Sequence, residues 1–177
     1  MRKTTRTMVA AGVLVMVGWS GLSAMTPEHL RDAVAVATAS EGDVIALEVS
    51  VEGAWDDPII AIELDNGREV YVATASGEIL SRERTMVGWG DRQVAAAVRD
   101  GEVISLEAAW PRILQQLAAS ERHSWVTPAD VRGIEYDTEF RRRVIEVALR
   151  RGGGDEDRAR VYADATTGAI LEVEYDD

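Results

Sequence analysis

The chain has no cysteine, one phenylalanine and four prolines in 177 residues. It has two histidines, His29 and His123. The missing cysteines exclude disulfide staples and thiolate metal ligands. Stability must therefore come from burying apolar side chains. The two histidines are not a pair at ligand spacing, so no zinc site is expected. No serine sits in a nucleophile-elbow motif. The glycine run Gly152-Gly153-Gly154 is not followed by the Lys-Ser/Thr of a phosphate loop. Bases are scarce, 19 against 31 acids, for a net charge of −12. Such a surface repels nucleic acid and anionic lipid, and it favours cationic partners and weak divalent-ion binding.

What is present begins with an export-like leader. Arg2, Lys3 and Arg6 form a basic start, Met8 to Trp19 carries no charge, and Ser20 to Ala24 is small and turn-prone. This is the layout of a signal peptide over residues 1–24, with cleavage after Ser23 or Ala24. Even extended to Leu22, the apolar run is shorter than the roughly 20 residues that span a bilayer. A periplasmic or secreted protein without stable membrane insertion after cleavage is therefore expected, an uncleaved anchor being the alternative. Loss of residues 1–24 removes three bases and no acid, which moves the charge from −12 to −15.

From Thr26 the sequence reads as a folded body. Thr26-Pro27-Glu28 caps a helix whose Leu30, Ala33, Val34 and Ala37 form one apolar stripe. At Asp43 the period changes to two. Ile45, Leu47, Val49 and Val51 alternate with polar or small residues, as do Ile60, Ile62 and Leu64, so each segment predicts a strand with one buried face. Asn66-Gly67 is a strong hairpin signal, and Ala75-Ser76-Gly77 predicts another turn. A short helix is expected over Asp91 to Arg99. A longer one should run from Ile104 to about Ser120, bent or delayed by Pro111. Strands then follow at Val131–Tyr136, Val144–Leu149 and on both sides of Ala165-Thr166-Thr167-Gly168. Asp164 is placed to accept N–H groups of this last turn.

The two halves resemble each other. Val70-Tyr71 matches Val161-Tyr162, Gly77 matches Gly168, and Ile79-Leu80 matches Ile170-Leu171. Glu48 matches Glu135, and Ile62-Glu63 matches Ile145-Glu146. The spacing predicts an internal duplication. The expected fold is α+β: two tandem units, 25–84 and 104–177, each a helix on an antiparallel meander of three to four strands. Residues 85–103 would link them through the short helix.

The start Ile104-Ser105-Leu106-Glu107-Ala108, together with the closing Asp164-Ala165-Thr166-Thr167-Gly168-Ala169-Ile170-Leu171, resembles the PepSY domain family. The first half matches the closing motif more weakly, through Ala75-Ser76-Gly77-Glu78-Ile79-Leu80. The resemblance implies a helix against an antiparallel sheet. It also implies a role in inhibiting or modulating peptidases, and it supplies no catalytic residue. Asp164, Thr167, Gly168, Asn66, Gly67 and Gly77 are read as turn-building residues.

A non-enzymatic exported binding or regulatory module is the leading expectation, acting on a protein or peptide through a sheet face or edge and using no cofactor. Trp55, Trp89 and Trp125 are candidate aromatic anchors for such a partner, and core-edge packing is their alternative role. A second expectation is an envelope sensor of cations or stress that uses the acidic surface. Asp155-Glu156-Asp157 lacks the ligand spacing of a calcium loop and reads as a solvated charge run. A third is an enzyme built on His123 with a nearby carboxylate; no motif supports it. His29, in a first helical turn, reads as a surface residue.

Overall fold

The computed structural model describes residues 26–54, 57–139, 142–150 and 159–175. The leader, Trp55 and the 152–157 glycine-acid run lie outside these residues. Helix α1 (Pro27–Glu41) is capped by Thr26, whose hydroxyl accepts the His29 N–H at 3.1 Å. Its stripe of Leu30, Ala33, Val34 and Ala37 is buried. Four strands follow: β1 (Ala46–Ala54), β2 (Asp57–Leu64), β3 (Arg68–Ala73) and β4 (Ile79–Arg84). Helices α2 (Trp89–Arg99) and α3 (Leu106–Ala119) come next, and α3 carries Pro111 within its length. Strands β5 (Val131–Glu139), β6 (Arg142–Leu149), β7 (Ala159–Asp164) and β8 (Ile170–Tyr175) complete the fold.

The expectation of two tandem units, each a helix on its own meander, is corrected. All eight strands belong to one antiparallel sheet, ordered β4-β3-β2-β1-β5-β6-β7-β8. The seam is the pairing of β1 with β5, with Val49 opposite Ile134 and Ser50 opposite Gly133. Helix α1 packs on β1, β2 and β3, α3 packs on β5, and the two helices touch each other. One apolar cluster therefore runs through the molecule from Leu30 and Ile62 to Trp110, Ile134 and Val161. The physical reason is size. A body of about 70 residues without disulfides buries too little surface to stand alone, so the halves share one core.

Local chemistry sets the turns. Gly67 (φ 76°), Gly77 (φ 69°) and Gly168 (φ 72°) occupy the left-handed region that glycine enters without a Cβ penalty. Both distal turns use the same bonds: the Gly77 N–H donates to Ala73 O, and the Gly168 N–H donates to Asp164 O. In the second turn Asp164 Oδ1 also accepts from the Thr166 N–H, the Thr167 N–H and the Thr167 hydroxyl. The Gln116 side chain then ties this hairpin to α3, donating to Gly168 O at 2.8 Å and accepting from the Ile170 N–H at 3.0 Å.

Trp110 is fully buried where the helices meet the sheet. Trp110→Ala should cost about 3–5 kcal/mol. Because the core is continuous, thermal unfolding followed by circular dichroism should remain one cooperative transition in both proteins. Two separated transitions would contradict a shared core.

Candidate functional site

Alternation places one side chain in two on the sheet face opposite α1 and α3. Register then does what no single strand reveals. Glu83 pairs with Glu69, Glu69 with Glu63, and Glu63 with Glu48. Across the seam Glu48 pairs with Glu135, and Glu135 with Glu146. Six glutamates from six consecutive strands thus form one row. The row continues through Tyr162 to Glu172 on the last two strands. At about 4.8 Å per strand, the six carboxylates span roughly 24 Å.

The next row is small at its centre: Ala61, Ser50, Gly133 and Ala148 lie side by side, with Tyr71 and Arg160 at the two ends. The sheet therefore offers a shallow floor beside an acidic rail. Helix α2 meets the sheet at the start of β1, where Leu47, Val94 and Ala95 pack together.

Like charges directly opposite one another destabilise a sheet, and here they are largely uncompensated. Arg160 Nε stands 3.6 Å from Glu146 Oε1. Among the described residues Glu48, Glu63, Glu69, Glu83 and Glu135 form no ion pair. The consequence is a set of raised carboxyl pKa values. Glu135 is pushed up to about 7 by partial burial and then by the charges of Glu48, Glu146 and Asp137, against a weaker pull from Arg160. Glu48 is raised by burial, then by Glu69 and Glu52. Glu63 is raised by burial, then by Glu48, Asp91 and Glu69. Glu146 is raised by burial although Arg160 opposes the shift. Such a row can receive positive charge spread along a line. Among the described residues no group of three or more His, Asp or Glu side chains stands close enough to hold a single metal ion.

The residues singled out in the sequence are scattered. Trp89, the first residue of α2, is 75 % exposed, whereas Trp125 is half-buried against the main core. His123 Nδ1 lies 2.5 Å from the Tyr175 hydroxyl, its ring stacks on Tyr175, and Arg122 lies over the same ring. Burial and the Arg122 charge lower the His123 pKa. The adjacent Ser124 hydroxyl donates to Glu121 O. The turn residues Asn66, Gly67, Gly77, Asp164, Thr167 and Gly168 sit in the hairpins described above. The sequence comparison of the halves already aligned Glu48 with Glu135 and Glu63 with Glu146. That alignment is the one signal of the glutamate row in the sequence, and by itself it points to duplication.

No family model matches the sequence, and no curated protein matches it. A solved structure from Clostridium difficile, described as a "putative lipoprotein", aligns over 91 % of this chain and 99 % of its own, with 13 % identity and a TM-score of 0.46. A likeness this slight carries no functional argument. Among the described residues no helix is long and apolar enough to cross a membrane.

The pH dependence of stability follows from these shifts. Glu135 keeps its proton in the folded chain up to about pH 7, whereas the unfolded carboxyl releases it near 4.5. Its contribution is full below the unfolded value and is lost as pH rises through the folded one. Asp164 runs the other way. Burial opposes ionisation, but the Thr167 hydroxyl, the Thr167 and Thr166 N–H groups and Arg142 outweigh it and lower the pKa from 3.8. Its contribution is lost as pH falls. Thermal stability should therefore be greatest in mildly acidic solution and decline towards pH 8. Glu135→Gln should raise the midpoint at pH 8 by roughly 1–4 °C and change it little near pH 4.5. Scanning calorimetry at both pH values checks this; wild-type stability that climbs steadily to pH 8 would contradict it.

Proposed function

We propose that the protein is a non-enzymatic exported binding module that receives a basic protein or peptide surface on its glutamate-lined sheet face. The observation that carries the reading is the row Glu83-Glu69-Glu63-Glu48-Glu135-Glu146, aligned across six strands and largely without internal cations. A chain that keeps like charges opposed bears a standing cost in stability, which a cationic partner would relieve. The small, partly exposed floor of Ser50, Gly133 and Ala148 lets a partner backbone or side chain come close. Export is supported by the leader-like segment from Arg2 to Ala24. The PepSY resemblance adds peptidases and their substrates to the partners worth testing. The spread of the carboxylates favours an extended cation over a chelated ion, so divalent-ion sensing is the weaker reading.

The test uses an eight-residue peptide of alternating lysine and alanine, titrated calorimetrically at low and at physiological salt. Binding should be measurable at low salt and fall as salt rises. The triple variant Glu48→Gln, Glu63→Gln, Glu135→Gln should weaken it by roughly fivefold or more, since each desolvated charge contact contributes appreciably. An acidic control peptide should not bind. Equal binding by wild type and variant, or none at low salt, would remove the proposal.

A further inference from the structure

A second feature, separate from the glutamate face, carries the opposite charge. The β2–β3 turn with the first residue of β3, Asp65 to Arg68, and the last residue of β4 with the segment that follows, Arg84 to Val87, line an open cleft of about 650 Å³, with Arg92 of α2 on its wall. The cleft is firmly built. The Thr85 N–H donates to Gly67 O at 3.1 Å, and Gly67 holds φ 76° with its backbone so close that an added Cβ would stand 3.2 Å from Thr85 O.

Three arginines line this cleft, and their neighbours leave them unneutralised. Arg68 and Arg84 are direct cross-strand partners, a like-charge pair. Among the described residues the side chains of Arg68, Arg84 and Arg92 enter no ion pair. Asp65, which lines the cleft, and Asp91, the neighbour of Arg92 in the chain, both have other partners. Asp65 accepts the Ile45 N–H through Oδ1 and pairs with Arg99 through Oδ2. Asp91 accepts the Gly88 N–H at 2.6 Å. At the rim Met86 is 93 % exposed, and Trp89 begins the adjoining helix, 75 % exposed. In a chain of net charge −12 this is a local concentration of unpaired positive charge beside exposed apolar surface.

We propose that this cleft binds a small phosphate-bearing anion, held by the guanidinium groups of Arg68, Arg84 and Arg92, with any apolar part of the ligand against Met86 and Trp89. Guanidinium presents paired N–H donors that match phosphate oxygens. The chain's overall negative charge disfavours a broad anionic surface such as a membrane and leaves a small ligand able to reach the cleft.

The experiment titrates the full chain with inorganic pyrophosphate, and in parallel sediments it with phosphatidylglycerol vesicles and with phosphatidylcholine vesicles. The triple variant Arg68→Gln, Arg84→Gln, Arg92→Gln is compared with a charge-matched control, Arg31→Gln, Arg112→Gln, Arg122→Gln. Pyrophosphate should bind the wild type and the control alike, and the cleft variant should bind roughly tenfold or more weakly, as expected when charged hydrogen bonds are lost. Sedimentation with phosphatidylglycerol alone, abolished in the cleft variant, would assign the same chemistry to a lipid headgroup. The cleft variant should unfold at or above the wild-type temperature, because the Arg68–Arg84 repulsion is gone. Failure of both probes to bind, or equal binding by the cleft variant and the control, would overturn the proposal.

Discussion

The pairing of β1 with β5 decides the rest of the molecule. Without it each half would end in an exposed strand edge over a small core. With it, two four-strand meanders become one sheet, α1 and α3 meet on the same side, and a continuous cluster runs from Leu30 to Val161. The same pairing sets Glu48 against Glu135. One seam thus supplies both the burial that stabilises the chain and the charge repulsion that strains it. Burial prevails, because apolar contacts extend under the sheet from β3 to β7 while the repulsion faces water, where it is screened.

The two charged features divide the surface. The acidic row crosses the sheet face, where half-burial and mutual repulsion raise the pKa values of Glu48, Glu63, Glu135 and Glu146. The arginine cleft sits at the ends of β3 and β4, where a glycine turn brings two loops together. Each concentrates one sign of charge with little internal neutralisation. On the proposed reading such imbalances are kept for ligands that complete them, and each ligand would also stabilise the fold by mass action.

Local structure was legible in the sequence because local physics writes it. Thr26 and Pro27 marked the start of α1, and its stripe at Leu30, Ala33, Val34 and Ala37 marked the buried face. Glycines at 67, 77 and 168 marked the hairpin turns, since only positive φ closes them. The joining of the halves was not legible. It rests on a few residue pairs about 85 positions apart, and an alternating strand looks the same whether its neighbour is solvent or another strand. The glutamate row failed for the same reason. The alignment of its members belongs to register and not to any one strand. The arginine cleft was hidden further still, because Arg68 and Arg84 come from the ends of two strands and Arg92 from a helix.

The seam itself is open to a direct measurement, and the absence of native cysteine makes it clean. Ser50 and Gly133 face each other across it, at a Cα separation of about 4.5–5.5 Å that a disulfide accepts. Under mild oxidation of the folded protein, the variant carrying Ser50→Cys and Gly133→Cys should cross-link nearly completely. A control carrying Ser50→Cys and Ala148→Cys, one strand further away at roughly 9.6 Å, should not. Failure of the first pair to close, or equal closure of both, would contradict the single sheet on which the shared core and the acidic row depend.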